Sequence, residues 1–190
     1  MKQGSKLFLT GGLGCALVRA VCADPTALDL VKKGDAYVGI QSKDKIIAIE
    51  SDKSVASLTP NIWHVVYFDP DSPFKRVEVK FGGGQEMDVS HPMPFFQLPA
   101  KADEILDLSR IKVNSDQALN IATHQSLLKP LTLRAAKLTL THGDVGAVWK
   151  VQLWATKLNH PDREADIGTV TLSGADGSIV NLDLHPDRAE

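Results

Sequence analysis

Six histidines, His64, His91, His124, His142, His160 and His185, are the side chains of this sequence best suited to hold a metal or move a proton. Zinc sites bring their imidazoles onto one face through short spacings, such as His-x-x-x-His on a helix. No two of the six are spaced so, and His91, His160 and His185 each precede a proline, which puts them at strand ends and in loops. No metal ligand set and no cofactor is expected. His91 with His185 is the pair that would meet if two halves of the chain lay about a pseudo-two-fold axis.

Covalent catalysis fares no better. The chain has no Gly-x-Ser-x-Gly elbow to present a nucleophilic serine. Thr141-His142-Gly143-Asp144 sets an imidazole beside a carboxylate, but the segment reads as a hairpin turn. Asp103-Glu104, Glu164 and Asp166 fall in polar stretches and read as solvated faces. Gly82-Gly83-Gly84 joins two strands instead of opening a helix, so it lacks the geometry of a phosphate cradle. No catalytic residue is assigned, and the chain is not expected to be an enzyme.

What surrounds these residues says more about location than about chemistry. Lys2 and Lys6 precede an apolar stretch from Leu7 to Val18, and Val21-Cys22-Ala23 then leads into Asp24-Pro25. This is the order of a secretory signal peptide, with cleavage expected after Ala23 and a periplasmic or secreted destination. Glycines and Arg19 interrupt the apolar run, which is short of the about 20 residues a spanning helix needs, so no membrane insertion is expected after cleavage. Arg19-Ala20-Val21 before Cys22 departs from a lipidation box. N-terminal sequencing of the exported protein should therefore begin at Asp24; a start at Met1, or a lipid on Cys22, would contradict this.

Cleavage would leave 167 residues with 18 basic and 23 acidic side chains, moving the net charge from −2 to −5, and it would remove both cysteines. Disulfides, thiolate metal sites and cysteine nucleophiles are thereby excluded from the mature chain. Such a charge gives no basic footprint for nucleic acid. A chain of this length can still bury a sufficient apolar core.

The elements come in one order, written twice. Trp63-His64-Val65-Val66-Tyr67-Phe68 and Trp149-Lys150-Val151-Gln152-Leu153-Trp154 are each followed by a Pro-containing polar loop, Asp69 to Pro73 and Asn159 to Asp166. An alternating run comes next, Arg76 to Phe81 and Gly168 to Leu172, then a Gly-rich turn at residues 82–84 and 174–177. A short strand ending in His-Pro closes each half, at His91 and His185. Period-two alternation marks these runs as strands with one apolar face. Val180, Leu182 and Leu184 alternate in this way with Asn181 and Asp183. First strands are expected over Lys45 to Ser51 and Thr132 to His142.

A helix should precede each set. Ser115 reads as an N-cap, followed by an apolar stripe through Ala118, Ala122 and Leu128 to Pro130. Ala27 to Val31 opens the other helix, which could run on to Val38 were Gly34 not there. The expected architecture is α+β: two repeats, each one helix packed on an antiparallel sheet of three to four strands. Residues 1–23 form the signal peptide, 24–92 the first repeat, 93–112 the linker and junction, and 113–190 the second repeat. Phe95 and Phe96 sit among Pro92, Pro94 and Pro99 and are expected to pack at the junction. Trp63 and Trp149 should occupy matching buried positions, each facing the helix of its own half, with Trp154 on the opposite sheet face.

The second half, with Ser115-Asp116-Gln117-Ala118-Leu119-Asn120-Ile121-Ala122, Val148-Trp149-Lys150-Val151, Gly168-Thr169-Val170-Thr171-Leu172 and Asp176-Gly177-Ser178-Ile179-Val180, resembles a PepSY domain. The resemblance covers roughly residues 113–184, and more weakly 26–91, where Gly82-Gly83-Gly84-Gln85 stands in place of an Asp-Gly turn. It implies one helix on an antiparallel sheet, no catalytic residues, and a module known best from the propeptides of secreted metallopeptidases. No peptidase domain follows in these residues, so a propeptide role in cis is not expected. The function expected is a non-catalytic binding module, with a protein or peptide partner such as a peptidase of the same compartment. Its candidate binding surface comprises Trp154, Phe95, Phe96, His91 and His185. The alternatives are a small hydrolase with an unrecognised site, or a small-molecule carrier with a pocket between helix and sheet.

Overall fold

A computed structural model describes residues 25–92, 98–144 and 146–190; the segment expected to be a signal peptide and the Phe95-Phe96 pair lie outside them. Helix α1 (Ala27–Gly34) leads into strands β1 (Ile46–Ser51), β2 (Ile62–Phe68), β3 (Arg76–Gly82) and β4 (Gln85–Ser90). Helix α2 (Ser115–Thr123) leads into β5 (Leu133–Gly143), β6 (Gly146–Thr156), β7 (Glu164–Ser173) and β8 (Ile179–Leu184). The fold is α+β, but the strands form one sheet and not two. All eight are antiparallel neighbours in the order β4-β3-β2-β1-β5-β6-β7-β8. The join is β1 on β5, where Ile49 lies opposite Leu140 and Glu50 opposite Thr139. Pairing the two first strands removes two edges that would otherwise expose unpaired backbone and apolar side chains.

One face of this sheet carries the main core. Trp63, Val65 and Tyr67 on β2, Val77, Val79 and Phe81 on β3, and Trp149, Val151 and Leu153 on β6 are all buried in one cluster with Leu30, Val31, Ala118 and Ala122 of the helices. Both helices therefore lie on the same side. The alternation of buried and half-buried positions along β3 is the period-two pattern of its sequence. β1 departs from it. A bulge between Ile46 and Ala48 lets Ile46 and Ile49 face the helices, while Ile47 and Ala48 join Val66 and Ala100 in a small cluster on the other face. Ala100 belongs to the connection from β4 to α2, whose N–H groups at Ala100 and Leu106 bond to the carbonyls of Phe74 and Ile46.

The helix ends differ from expectation for identifiable reasons. α1 stops at Gly34, where a Cβ would stand 2.2 Å from the Tyr67 hydroxyl. That hydroxyl donates to the Val31 carbonyl at 3.0 Å, tying the helix end to β2. The N-cap of α2 is Asn114, not Ser115: the Asn114 Oδ1 accepts the Ser115 N–H at 2.8 Å. Ser115 instead caps the other helix, its Oγ accepting the Ala27 N–H at 3.0 Å. Asn114 reaches across too, accepting the Leu28 N–H at 3.2 Å and donating from Nδ2 to Thr26 Oγ1 at 2.6 Å. α2 ends at Thr123 and not near Pro130, with a 3-10 turn over Ser126–Leu128 beyond it. The Gln125 amide donates back to the Ile121 carbonyl at 2.8 Å, satisfying one of the free carbonyls of the last turn.

Because each cap is worth about 1 kcal/mol, Asn114→Ala should destabilise the protein by about 2 kcal/mol, removing acceptors from both helices at once. Chemical denaturation reads this directly; a loss no larger than that of a single cap would mean the cross-contacts to Thr26 and Leu28 contribute nothing.

Candidate functional site

Among the described residues the face of the sheet away from the helices is open over most of its width, and strand register lays its polar side chains in a row. Asp88, Lys80, His64, Glu50, Thr139, Lys150, Thr171 and Asn181 lie opposite one another in turn across all eight strands. His64 is the best-held of them, its side chain only 20% exposed. Nδ1 lies 2.6 Å from Glu78 Oε1 and Nε2 lies 3.2 Å from Asp52 Oδ1. The Glu78 hydrogen bond raises the imidazole above its ordinary pKa; burial opposes this, and the charges of Glu78 and Asp52 reinforce it.

A shallow cavity of about 320 Å³ opens beside this ring, lined by Glu50, Asp52, Arg76, Glu78 and Lys137 among others. Both ring nitrogens face carboxylates, which stabilise the imidazolium relative to the neutral ring, and among the described residues neither nitrogen is hydrogen-bonded to a hydroxyl. Glu78 and Asp52 sit at opposite ends of the ring and do not converge on one point. Ser51, the hydroxyl nearest in sequence to Asp52, is buried on the helix side, where its Oγ accepts the Leu138 N–H.

The sign of the pH effect follows. A raised folded-state pKa contributes stability that is complete below about pH 6.5, the unfolded value, and is lost as pH rises through the folded value. The part of unfolding free energy due to His64 should therefore decline from pH 6 upward, and His64→Gln should flatten that decline. Denaturation midpoints taken across pH 5 to 9 check it; an unchanged slope in the variant would refute it.

The residues expected to form a binding surface are not gathered into one site. Trp154 is half-buried on the open face, with Lys53 Nζ 4.7 Å from its ring centroid and Lys53 bonded to Glu164 at 2.5 Å. His91 follows β4, 3.5 Å from Asp69, and His185 follows β8, 2.9 Å from Asp183. Six strands lie between β4 and β8, so the His91–His185 pairing does not form. His142 is exposed at the end of β5, with no hydrogen bond to Asp144.

Glu164 and Asp166 lie on a strand and not in the loop before it; Glu164 is exposed there as expected, whereas Asp166 is half-buried. Both lie in β7, where Asp166 accepts the Gln152 amide at 2.6 Å and the Gly168 N–H at 2.9 Å, across the bulge at Leu153 and Trp154. The sequence offered one overlooked signal for the His64 cluster. Glu78 belongs to the outward set of β3, and any strand pairing that buries Val65 against Val79 also brings Glu78 beside His64.

Trp63 and Trp149 are both buried, 4% and 0% exposed, and each indole donates to a carbonyl, Pro60 at 3.2 Å and Val113 at 2.8 Å. Trp63 does not sit under α1 alone. It lines a groove of about 280 Å³ together with Thr26 ahead of α1, Ser115 and Leu119 of α2, Leu58 and Leu138. The β8 alternation produced burial only in part: Val180 and Leu182 are 51% and 40% exposed, and Leu184 is half-buried against the main core. Comparisons with family models, curated proteins and solved structures return no match to the chain.

Proposed function

We propose that the protein is a non-catalytic binding module of the periplasmic or secreted space that docks a protein partner, a peptidase of that compartment being the class the PepSY resemblance suggests. The observation that carries this reading is the one-sided sheet. Both helices pack on one face, leaving the outward side chains of most of the other face and two outer strands available for contact. The helix-and-four-strand order, occurring twice, supports two tandem PepSY-like repeats. So do the paired caps Thr26 and Asn114, 88 residues apart. Among the described residues no helix is long and apolar enough to cross a membrane.

The test is capture from the native extracellular fraction on residues 24–190, repeated with Lys150→Glu on the open face. A stoichiometric partner whose retention falls in the variant supports the reading; no partner in either case overturns it. The groove beside Trp63 favours a second reading, a small-molecule carrier. Saturable quenching of Trp63 fluorescence by a small apolar probe, lost in Leu119→Arg, would shift the assignment there.

A further inference from the structure

The two outer strands of the sheet are built differently. β4 carries two edge charges, Glu86 and Asp88, of the kind that discourage a further strand, beside the exposed Met87 and Val89. β8 carries one charged residue, Asp183, and its three exposed aliphatic residues, Ile179, Val180 and Leu182, are consecutive but for Asn181; its ladder, like that of β4, holds one bulge. Ile179 and Leu182 pair with Leu172 and Val170, residues of the helix-side core, yet remain uncovered because α2 packs over β5 and β6.

The backbone of β8 is directional as well. His185 donates inward to the Ile167 carbonyl at 2.7 Å. In an antiparallel ladder alternate residues turn both their N–H and C=O the same way, so Leu184 and Leu182 present theirs outward.

Charge decides what fits. Asp183, on β8, is 64% exposed. Asp176 lies in the turn before the strand, and Asp187 and Glu190 lie after it. Against these four carboxylates, Arg188 is the one Lys or Arg from Gly174 to Glu190, and His185 is held by Asp183. A second copy of the chain would bring the same acids to the same edge, and like charges across paired strands are destabilising.

We propose that β8 is a docking strand for an extended basic segment of a partner protein. The segment adds antiparallel or parallel as a ninth strand, with aliphatic side chains over Ile179 and Leu182 and Lys or Arg side chains toward Asp183. This rests on the binding-module reading above and specifies its site and partner chemistry. Main-chain hydrogen bonds to Leu182 and Leu184 supply the affinity, and the acids supply the selection.

The probe is the peptide acetyl-Lys-Val-Lys-Val-Lys-Val-amide, added to residues 24–190 and followed by amide hydrogen exchange and calorimetry. Binding should protect the Leu182 and Leu184 amides, weaken as salt is raised, and fall at least about tenfold when the lysines are replaced by glutamates. Leu182→Pro removes an N–H that points away from β7 and should abolish binding. Leu182→Lys keeps the N–H, adds a positive charge at the edge, and should weaken binding at least about fivefold.

Protection falling on β4 or on the open face would overturn the edge assignment while leaving the binding-module reading in place. Peptide affinity indifferent to both Leu182 variants, or absent altogether, would overturn it too. Protection of Leu182 that rises with protein concentration without peptide would give the edge to a second copy. Failure of the capture experiment alone would count against the broader reading and not against the peptide result.

Discussion

Trp149→Ala is expected to destabilise the protein by about 3–5 kcal/mol, the usual range for emptying a buried aromatic site. Trp149 is fully buried, on β6 between Leu140 of β5 and Leu172 of β7, and lies in the core that both helices cover. Its indole N–H also holds the Val113 carbonyl at 2.8 Å, one residue before the cap of α2. The substitution removes packing and leaves a buried carbonyl without its donor, two losses with a common sign. Trp154→Ala, five residues along on the open face, should cost about 1–2 kcal/mol, since that side chain is half-buried and its specific contact is with the Lys53 ammonium. Urea denaturation of the two variants side by side makes the comparison. Equal losses would mean that the open face is covered in solution, against the one-sided sheet on which the functional reading rests.

Gly168→Ala is expected to be nearly as damaging, at about 2–4 kcal/mol, for reasons unrelated to core volume. Gly168 has φ +108°, a conformation that residues with a Cβ rarely adopt. A Cβ there would also stand 2.0 Å from the Asp183 carbonyl oxygen on β8. Backbone cannot swing aside as a flexible side chain can, so relief requires β8 to shift or detach. The variant should therefore lose protection first at the β7–β8 ladder and only later in the centre of the sheet. Hydrogen exchange resolves that order. Uniform loss across all strands, or a cost within 0.5 kcal/mol of wild type, as for an ordinary surface change, would show that the close approach carries no strain. Detachment should also abolish binding of the Lys-Val peptide, because the docking strand would no longer be held.

The elements were legible because their signals are local. Val77, Val79 and Phe81 alternate with Glu78 and Lys80, and the strand they imply is β3 with that face buried. The turns after Phe81 and before Ile179 fall where the glycines put them, with Gly83, Gly84 and Gly177 at positive φ. Helix ends were less legible. Ser115 has the chemistry of a cap and is one, but for the helix 88 residues away in the chain. Position 34, the last of α1, has no room for a Cβ because a tyrosine hydroxyl contributed by β2 stands there. Asp166 reads as a loop acid until a bulge on the neighbouring strand gives it two donors.

Read alone, the order of residues determined the α+β class, the strands and their apolar faces, and the burial of Trp63 and Trp149. Each of these depends on periodicity or on the size of one side chain. Tertiary structure alone decided that β1 pairs with β5, making one sheet from two sets of strands. It set His64 between Glu78 and Asp52, and it kept His91 and His185 at opposite edges. It also left Val180 and Leu182 exposed although their alternation matches that of buried strands. The reason is physical: alternation specifies which side of a strand is apolar, whereas burial depends on whether another element reaches that side. α2 covers β5 and β6 and stops short of β8.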